Sequence, residues 1–463
     1  MFRNCSGITN FIIGSGVKTI ASKITPPSDC AALDTVVIEG NGDTVIEESA
    51  FDSRKLRNLE INGVKTISSK AFSDCSCLTN VVFKGSSLET IGYYAFSSCK
   101  NLTELSLPEG IRELGVCAFY NCRSLVQLEC PSTVTNIGSS VFNSCRSLAS
   151  LSLPNGITNV PFKACYDCQM LETVSIPDSV TEISDYAFQY CCKLKNVKLP
   201  DNLKSIGTST FDYCYSLKEF AMPVGLEIIG DYALRYCSGL TELMIPASVT
   251  NIGEYAFGWC SNLETLCLPD SLETIPQGLC LRNTNLKSVN VPSAATSIGV
   301  SAFYMCQNLL SITIPADVTC IGKDAFCYCS ALAEVYFQGV PPAEVGQYCL
   351  TGVDAECFVV YPTEYTAEWR QVIDYDARWN GLKTMSSDTL KNCYFIKFVS
   401  DKSNVMQLCE HGKVYDLRAN TFLKAGKKFA GWSGDNERRY DNGVLVFNLA
   451  NIGETITLTA VWE

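Results

Sequence analysis

Cysteine returns at a fixed interval of 23 residues along most of this chain, and this spacing limits the possible fold more than any other feature. A constant step of this length is typical of solenoids, in which each repeat forms one coil that stacks on its neighbours. Four earlier positions, Cys5, Cys30, Arg54 and Cys75, extend the series toward the N terminus. The regular part of the series, which we name the cysteine ladder, consists of Cys99, Cys122, Cys145, Cys168, Cys191, Cys214, Cys237, Cys260, Asn283, Cys306 and Cys329.

The unit that begins at Cys99 predicts one short strand. Leu102, Leu105 and Leu107 lie at i, i+3 and i+5, so that apolar side chains enter a core while Ser106 points outward. Pro108 follows directly, and proline has no N–H with which to continue a strand ladder. The strand should therefore end at this proline in every coil.

The second half of the unit predicts a turn and a core layer. Gly115 follows the apolar pair Ile111 and Leu114, and we expect it to permit a left-handed turn. Ala118 and Phe119 come next, the first allowing close approach and the second filling the core. Two units depart from this pattern, and we expect local distortion there, at Pro161 with Cys165 and at Leu279 with Cys280.

The pattern L-x-x-L-x-L-P, followed by I-G-x-x-A-F-x-x-C, resembles the BspA-type leucine-rich repeat over roughly residues 1–362. The resemblance implies a curved, right-handed leucine-rich repeat solenoid with one concave strand face. It also implies a cell-surface protein that adheres to host proteins, extracellular matrix or neighbouring cells. We expect residues 357–361 to form the closing strand and residues 363–372 a capping helix, with Thr363 as N-cap and Glu364 in its first turn.

Composition excludes some classes of function. The chain has 463 residues, of which 47% are hydrophobic and 18% charged, and its formal net charge is −12. Without a basic run, the chain lacks the electrostatic attraction that nucleic-acid binding needs. No apolar run approaches the length of a membrane span, so we expect no span in this chain. A signal peptide is absent from this sequence, and for a secreted or cell-surface protein we presume that it was removed.

Twenty-six cysteines would ordinarily suggest a disulfide scaffold. Stacked equivalent positions, however, are about 4.8 Å apart, slightly farther than disulfide geometry allows. We therefore expect the ladder thiols to be reduced and to donate weak S–H hydrogen bonds to backbone carbonyls, with Asn283 doing the same more strongly. We expect no metal site at Cys165 with Cys168 or at Cys327 with Cys329. The sequence alone does not decide whether Cys349 and Cys357 form a disulfide.

After residue 380 the 23-residue rhythm is lost. The sequence predicts repeats and cap over residues 1–380, a linker at 381–392 and a small mainly-β domain at 393–463. Its strands are predicted at 394–399, 413–417, 444–448 and 455–462, with turns at glycines that include Gly426, Gly443 and Gly453. G-K-K-F-A-G-W and L-T-A-V-W resemble the internalin B-type repeat, which implies a β-grasp-like module. The aromatic residues of this domain are expected to form its core rather than a ligand-binding patch; they are Phe429, Trp432 and Trp462.

Catalysis is not expected, and neither is a cofactor or a metal. His411 is the single histidine of the chain, so a Cys–His pair is hard to assemble. A hydrolase that uses paired carboxylates is the remaining enzymatic alternative. Its candidates would be glutamates near the predicted strands, but their scattered positions indicate solvated surface: Glu104, Glu129, Glu219, Glu242 and Glu334.

Function is therefore expected on the outward strand positions. Most of these are small and polar: Ser106, Glu129, Ser152, Ser175, Lys198 and Ala221. The candidate interaction face is the C-terminal part of the row, at Met244, Cys267, Asn290, Thr313 and Tyr336. The partner would be a protein, a matrix or host-surface ligand or a glycan, and the oligomeric state is left open. The alternative is a structural spacer of the cell envelope.

Overall fold

The computed structural model describes residues 7–24, 32–51, 54–354 and 356–390 of the repeat region. Beyond these it describes the segments 393–400, 403–410, 414–416, 429–434, 438–440, 445–447 and 455–462. Several sequence predictions fall outside these ranges, namely Cys5, Cys30, His411, Gly426, Gly443 and Gly453. The described repeat region is a β-solenoid of about 16 turns with a period of about 23 residues.

Most coils contribute one short strand, here called an A strand, which pairs in parallel with the A strand of a neighbouring coil. The coil at residues 219–221 makes only an isolated bridge, between Glu219 and Asn196. The middle residue of an A strand is buried and the two flanking residues face outward, as in Glu104–Ser106. The register advances by one repeat, so that Leu105 lies opposite Leu128, and Leu128 lies opposite Leu151 on its other side. The A strands are Asn10–Ile13, the first parts of Thr35–Ile46 and Asn58–Ile67, Asn80–Lys84, Glu104–Ser106, Gln127–Glu129, Ser150–Ser152, Thr173–Ser175, Asn196–Lys198, Glu242–Met244, Thr265–Cys267, Ser288–Val289, Ser311–Ile314, Glu334–Phe337 and Phe358–Tyr361.

A second parallel row, the B strands, runs along another side of the coils. Each has a buried second residue that comes from the I-G part of the repeat. The B strands are Thr19–Ile20, the ends of Thr35–Ile46 and Asn58–Ile67, Thr90–Ile91, Glu113–Leu114, Asn136–Ile137, Asn159–Val160, Glu182–Ile183, Ser205–Ile206, Ile228–Ile229, Asn251–Ile252, Thr274–Ile275, Ser297–Ile298, Cys320–Ile321 and Glu344–Val345.

The B row is interrupted at two places, and proline is the cause at both. The glycine that follows a B strand normally donates its N–H to the preceding coil, as Gly138 does to the carbonyl of Leu114 at 2.7 Å. Pro161 and Pro276 occupy this position and have no N–H to donate. The sheet accordingly breaks between Ile137 and Val160, and again between Ile252 and Ile275. The sequence predicts local distortion at Pro161 and not a break; the B row is interrupted there, while the A strands Gln127–Glu129, Ser150–Ser152 and Thr173–Ser175 stay paired.

The role predicted for the repeat glycine was wrong. Gly115 does not adopt positive φ. It is required because a Cβ there would lie 2.6 Å from the carbonyl carbon of Gly92 in the preceding coil. The left-handed residues are instead two non-glycine positions in the following turn, such as Cys117 at φ 56° and Asn121 at φ 62°.

The core is a continuous column of leucine, isoleucine, phenylalanine and ladder cysteine side chains. Consecutive phenylalanines stack, with ring centroids 4.9 Å apart for Phe51 and Phe72 and 5.3 Å apart for Phe72 and Phe96. At the C-terminal end Trp369 is fully buried, and its indole nitrogen donates to the carbonyl of Gly339. Trp379 packs against Trp369 with centroids 5.7 Å apart.

The C-terminal cap differs from its prediction. A 3₁₀ turn, Thr363–Tyr365, precedes a short α-helix, Thr366–Trp369, and Thr363 lies inside the turn with Pro362 as its N-cap. Leu382–Ser386, in the stretch predicted as a linker, forms a strand that pairs in parallel with Phe358–Tyr361 and antiparallel with Arg378–Trp379. A short helix, Ser387–Leu390, follows. The repeat sheet thus continues to Ser386.

The remaining described strands form a mixed sheet and a two-stranded one. Cys393–Ser400 pairs antiparallel with Ser403–Glu410 and parallel with Thr455–Trp462, which also pairs with Phe429–Gly434. Arg439–Tyr440 pairs with Phe429–Gly434, and Val414–Asp416 pairs with Leu445–Phe447. Trp432 is buried and contacts Phe429 at a centroid distance of 4.9 Å, as expected for a core residue.

Candidate functional site

The ladder thiols face the interior and bind backbone. Cys122 Sγ donates to the carbonyl oxygen of Phe96 at 3.2 Å, and the same bond recurs from Cys99 to Cys329 wherever cysteine is present, at 3.1–3.4 Å. Each thiol therefore links two neighbouring coils by a hydrogen bond. None of the cysteines from Cys77 to Cys357 forms a disulfide, Cys349 and Cys357 included.

Burial also makes these thiols poor nucleophiles. It raises the pKa of Cys122, Cys260 and Cys329 to about 12. Because the thiolate is the reactive form, little of it exists at neutral pH. Among the described residues there is no group of three or more histidine, cysteine or acidic side chains arranged to hold a metal ion. The interior is therefore structural.

Asn283 does not do what its position predicts. Its side chain is fully buried, yet neither amide atom has a hydrogen-bond partner among the described residues. The bond from Asn283 to a backbone carbonyl that the sequence predicts is therefore absent from this coil, and its amide lies beside the thiol of Cys280.

Met244 and Cys267 lie side by side on the A face, which we define as the outward side of the A strands. They are register partners on neighbouring strands. Met244 is 57% exposed and Cys267 half-buried. Together they form a small apolar area on this face.

Asn290 and Thr313 lie farther along the same row. The side-chain amide of Asn290 is bonded to the backbone of the preceding coil. Its Oδ1 accepts from the Leu268 N–H at 2.7 Å and its Nδ2 donates to the Leu268 carbonyl at 2.8 Å. These bonds take the place of a strand ladder where Ser288–Val289 is short. Thr313 is exposed and is paired in register with Tyr336.

Tyr336 borders a hollow at the C-terminal end of the A face. Its hydroxyl donates to Glu334 Oε2 at 2.7 Å, and burial together with this carboxylate raises the pKa of the phenol. The hollow has a volume of about 620 Å³ and leads onto the cap. It is lined by Thr313, Tyr336, Phe337, Gln338, Val360, Tyr361, Pro362, Glu364 and Ser387.

The glutamates considered for hydrolysis do not converge. Glu104 lies opposite Gln127, Glu129 opposite Ser106 and Ser152, and Glu334 opposite Ser311. Glu219 and Glu242 come from neighbouring coils and are both exposed. Among the five, only Glu219 and Glu242 hold equivalent positions in neighbouring coils.

Sequence reasoning missed an aromatic surface on the turn between each B strand and the next ladder position. We name the stack formed by Tyr190, Tyr213, Tyr236 and Trp259 the aromatic comb. Successive ring centroids are 4.7, 4.5 and 5.1 Å apart, and all four residues are half-buried. The signal was available in the sequence, because an aromatic residue directly precedes the ladder cysteine in four consecutive coils.

The comb residues have left-handed backbone conformations, with φ between 58° and 64°. Such a conformation costs an ordinary L-residue on the order of 1–2 kcal/mol. Asparagine and glycine tolerate it better, and the chain uses Asn121 and Gly278 at left-handed turn positions in other coils. Bulky aromatic rings are therefore not demanded by the turn.

Two cations of the chain lie over rings of this surface. The Arg235 guanidinium is 5.4, 4.5 and 5.5 Å from the ring centroids of Tyr213, Tyr232 and Tyr236. It also donates to the buried carboxylate of Asp212 at 2.7 Å. Lys163 lies similarly over three rings of earlier coils, those of Phe162, Tyr166 and Tyr186.

These features define a parallel β-solenoid built from leucine-rich coils, with a polar A face and an aromatic turn surface. The model of the BspA-type leucine-rich repeat region matches residues 1–87, 65–194, 181–309 and 279–364. The chain therefore belongs to the BspA-type leucine-rich repeat family.

Among solved structures, a leucine-rich repeat protein from Bacteroides ovatus is similar at 26% identity and a TM-score of 0.64, over 74% of this chain and 87% of that one. A leucine-rich cell-surface protein from Faecalibacterium prausnitzii is 24% identical over 72% and 88%, with a TM-score of 0.40. The pneumococcal vaccine antigen PcpA is 23% identical over 71% and 74%, with a TM-score of 0.42. No curated protein matches the sequence.

No helix within the described residues has the length and apolar character needed to cross a bilayer.

Proposed function

We propose that this protein is a non-enzymatic surface protein that adheres to a protein partner through the A face. The observation that carries the proposal is the separation of roles along each A strand, where a buried residue holds the coil together and two outward residues are left for contact. Solenoids of this kind supply long recognition surfaces because outward positions can vary without disturbing the core.

The contact is centred on the C-terminal part of the A face. Met244 and Cys267 supply exposed apolar area there, and the hollow beside Tyr336 supplies depth and hydrogen-bonding groups. Apolar area with a few oriented polar groups is typical of protein-binding surfaces. Asn290 would contribute shape rather than contacts, because its amide is bound to Leu268.

Substitution at this surface should separate binding from stability. Because Met244 and Tyr336 are not core residues, Met244→Lys and Tyr336→Ala should weaken capture of matrix proteins such as fibrous host glycoproteins by at least about tenfold, while thermal melting stays the same. Surface plasmon resonance and differential scanning calorimetry measure the two effects. Ser152→Ala, on the same face at a different coil, is the control.

Unchanged capture by both variants would remove this part of the A face from the proposal. A glycan ligand would respond to the same substitutions as a protein ligand. The two are distinguished by glycosidase treatment of the immobilised material, which abolishes capture only if the ligand is a glycan. If neither class of ligand binds saturably, the solenoid acts as a structural spacer of the envelope.

For the residues beyond 392, we propose a small β-grasp-like module of the internalin B type, following a short connection, that serves as spacer or docking unit. The support is the pairing of Cys393–Ser400 with both an antiparallel neighbour and the parallel strand Thr455–Trp462. Location at the cell surface is part of the same proposal and rests on the family.

A further inference from the structure

Lysines gather at one place on the A face. The segment from the residue after the ladder position to the end of the A strand spans 192–198 in one coil and holds Lys193, Lys195 and Lys198. No other equivalent segment between residues 100 and 336 holds more than one lysine or arginine. Lys218 follows in the next coil, and all four side chains are exposed. We name these four residues the lysine strip, a local basic area on a chain of net charge −12.

Most of the positive charge of the lysine strip is not neutralised by the chain itself. Lys195 Nζ lies 2.7 Å from Glu172 Oε2 of the preceding coil and forms an ion pair. Among the residues that the structure describes, Lys193, Lys198 and Lys218 have no carboxylate oxygen within ion-pair distance. Three ammonium groups are therefore available to a partner.

The stacking of the coils brings the charges of the strip together. The Lys218 N–H donates to the Lys195 carbonyl at 3.1 Å, so these two side chains start from equivalent positions about 4.8 Å apart. Lys193 acts on the same carboxylate as Lys195, since the hydrogen bond from Lys195, and to a smaller degree the charge of Lys193, lower the pKa of Glu172. Like charges at such spacings repel, and a negative group of a partner would remove this repulsion.

Lys198 is accessible because its neighbours in the row are small. Its register partner on the preceding strand is Ser175, and the equivalent residue of the next coil is Ala221. The strand of Lys198 is the last of a run of five paired A strands, since the next coil makes only the isolated bridge between Asn196 and Glu219. The ammonium group of Lys198 thus has no large side chain beside it in its own row.

Carboxylates limit the lysine strip on both sides. Glu172 precedes it, and Glu219 and Glu242 follow, all three exposed. The basic area therefore extends over about two coils, or about 10 Å along the solenoid. From Lys193 to Lys198 it measures at most about 18 Å along the coil. A long, uniformly charged polyanion lying along the solenoid would be repelled beyond these limits, whereas a short acidic segment fits within them.

We propose that the lysine strip docks a short acidic segment, rich in aspartate or glutamate, of the protein partner; this inference rests on the proposed adhesion through the A face. The strip contains lysine and no arginine, which suits single contacts with carboxylates better than the bidentate capture of sulfate or phosphate groups. Met244 lies in the row of Lys198, two coils farther on. The acidic segment would therefore flank the apolar contact and speed association.

The test uses the full chain and a short fluorescent peptide of alternating glutamate and serine, with glutamine in place of glutamate as the uncharged probe. Fluorescence anisotropy at low and at moderate salt measures binding. We expect saturable binding of the acidic peptide that salt weakens, and none of the glutamine peptide. The strip variant, which combines Lys193→Gln, Lys198→Gln and Lys218→Gln, should lower affinity by roughly tenfold. Glu172→Gln releases Lys195 and should raise affinity by roughly twofold to fivefold.

The matched control combines Lys55→Gln, Lys70→Gln and Lys100→Gln, which removes the same charge from exposed lysines of other coils. Equal loss of affinity in the control and the strip variant would overturn the proposal, because the attraction would then follow net charge alone. Tighter binding of a heparin fragment than of the peptide would replace the acidic segment by a sulfated glycan. Should the strip variant not fold, the absence of a gain from Glu172→Gln overturns the proposal.

The same assay separates this proposal from the proposed function. Tyr336→Ala should leave peptide binding intact, because Tyr336 lies outside the lysine strip. Retained peptide binding together with unchanged capture of matrix proteins by that variant would count against the contact at Tyr336 and leave the strip in place. Loss of peptide binding in Tyr336→Ala would overturn the assignment to the lysine strip.

Discussion

At the scale of single residues, the ladder shows how a weak donor can suit a repeat better than a strong one. A thiol is small enough to sit between two coils and still reach the carbonyl of the preceding phenylalanine, as Cys145 reaches Phe119 at 3.2 Å. Asparagine has one more polar group to satisfy, and at Asn283 neither amide atom is bonded. An unsatisfied buried polar group costs about 1–3 kcal/mol.

Asn283→Cys should therefore stabilise the protein by about 1–2 kcal/mol, because the thiol restores a bond to the preceding coil and removes a buried amide. Thermal unfolding followed by circular dichroism, with reductant present, measures the gain. The reciprocal change Cys260→Asn is the control and should lower the melting temperature. A lower melting temperature for Asn283→Cys would show that the amide is satisfied by means other than protein groups.

At the scale of the element, the stacking distance between coils decides which residues are allowed. The glycine that follows each B strand lies directly on the backbone of the preceding coil. A Cβ at Gly138 would be 2.3 Å from the Val116 nitrogen, and one at Gly230 would be 2.6 Å from the Gly207 carbonyl carbon. Alanine would push two coils apart.

Gly115→Ala should consequently destabilise the solenoid by about 1–3 kcal/mol or more, as overpacking does in other cores. Gly14→Ala is a matched control, because Gly14 has negative φ and a Cβ there would meet nothing within 4 Å. The comparison of melting temperatures tests the close-approach explanation. If the two variants melt together, backbone crowding is not what selects glycine.

The sequence predicted the coil, its strand and its core accurately, because these follow from a repeated apolar pattern. It misassigned Gly115, since close stacking and left-handed φ both favour glycine and only coordinates separate them. It placed Thr363 as a helix N-cap because threonine followed by glutamate is typical of a helix start. In the structure Pro362 is the N-cap of a 3₁₀ turn that contains Thr363. The comb was missed because the residue type at its repeat position varies from coil to coil, and the repeat consensus leaves this position undefined. Tyr190 and Tyr213 are two of the residues at this position.

At the scale of the whole molecule, the many buried thiols act together in response to pH. Burial raises the pKa of Cys122, Cys260 and Cys329 to about 12, and raises that of Cys145, Cys214 and Cys237 strongly. The folded protein holds these protons more tightly than the unfolded chain, whose thiols titrate near pH 8.5. Their stabilising effect is fully present below that pH and is lost as pH rises toward the folded pKa.

Stability should thus be flat near neutrality and fall steeply above about pH 9, by up to about 1.4 kcal/mol per pH unit for each buried thiol. Melting temperatures measured with reductant at several pH values would show the slope. Cys122→Ala should make the slope shallower, because it removes one thiol whose pKa is raised by burial. A profile without an alkaline decline would contradict the linkage.

The two proline interruptions have a mechanical consequence. At Pro161 the B row is open while the A strands Gln127–Glu129, Ser150–Ser152 and Thr173–Ser175 remain tied by their ladder. A lateral force on the solenoid would therefore bend it at this interruption of the B row, because the paired A strands of the same coils hold together. Under shear, the outward side chains of these A strands would keep their spacing while the B row separates.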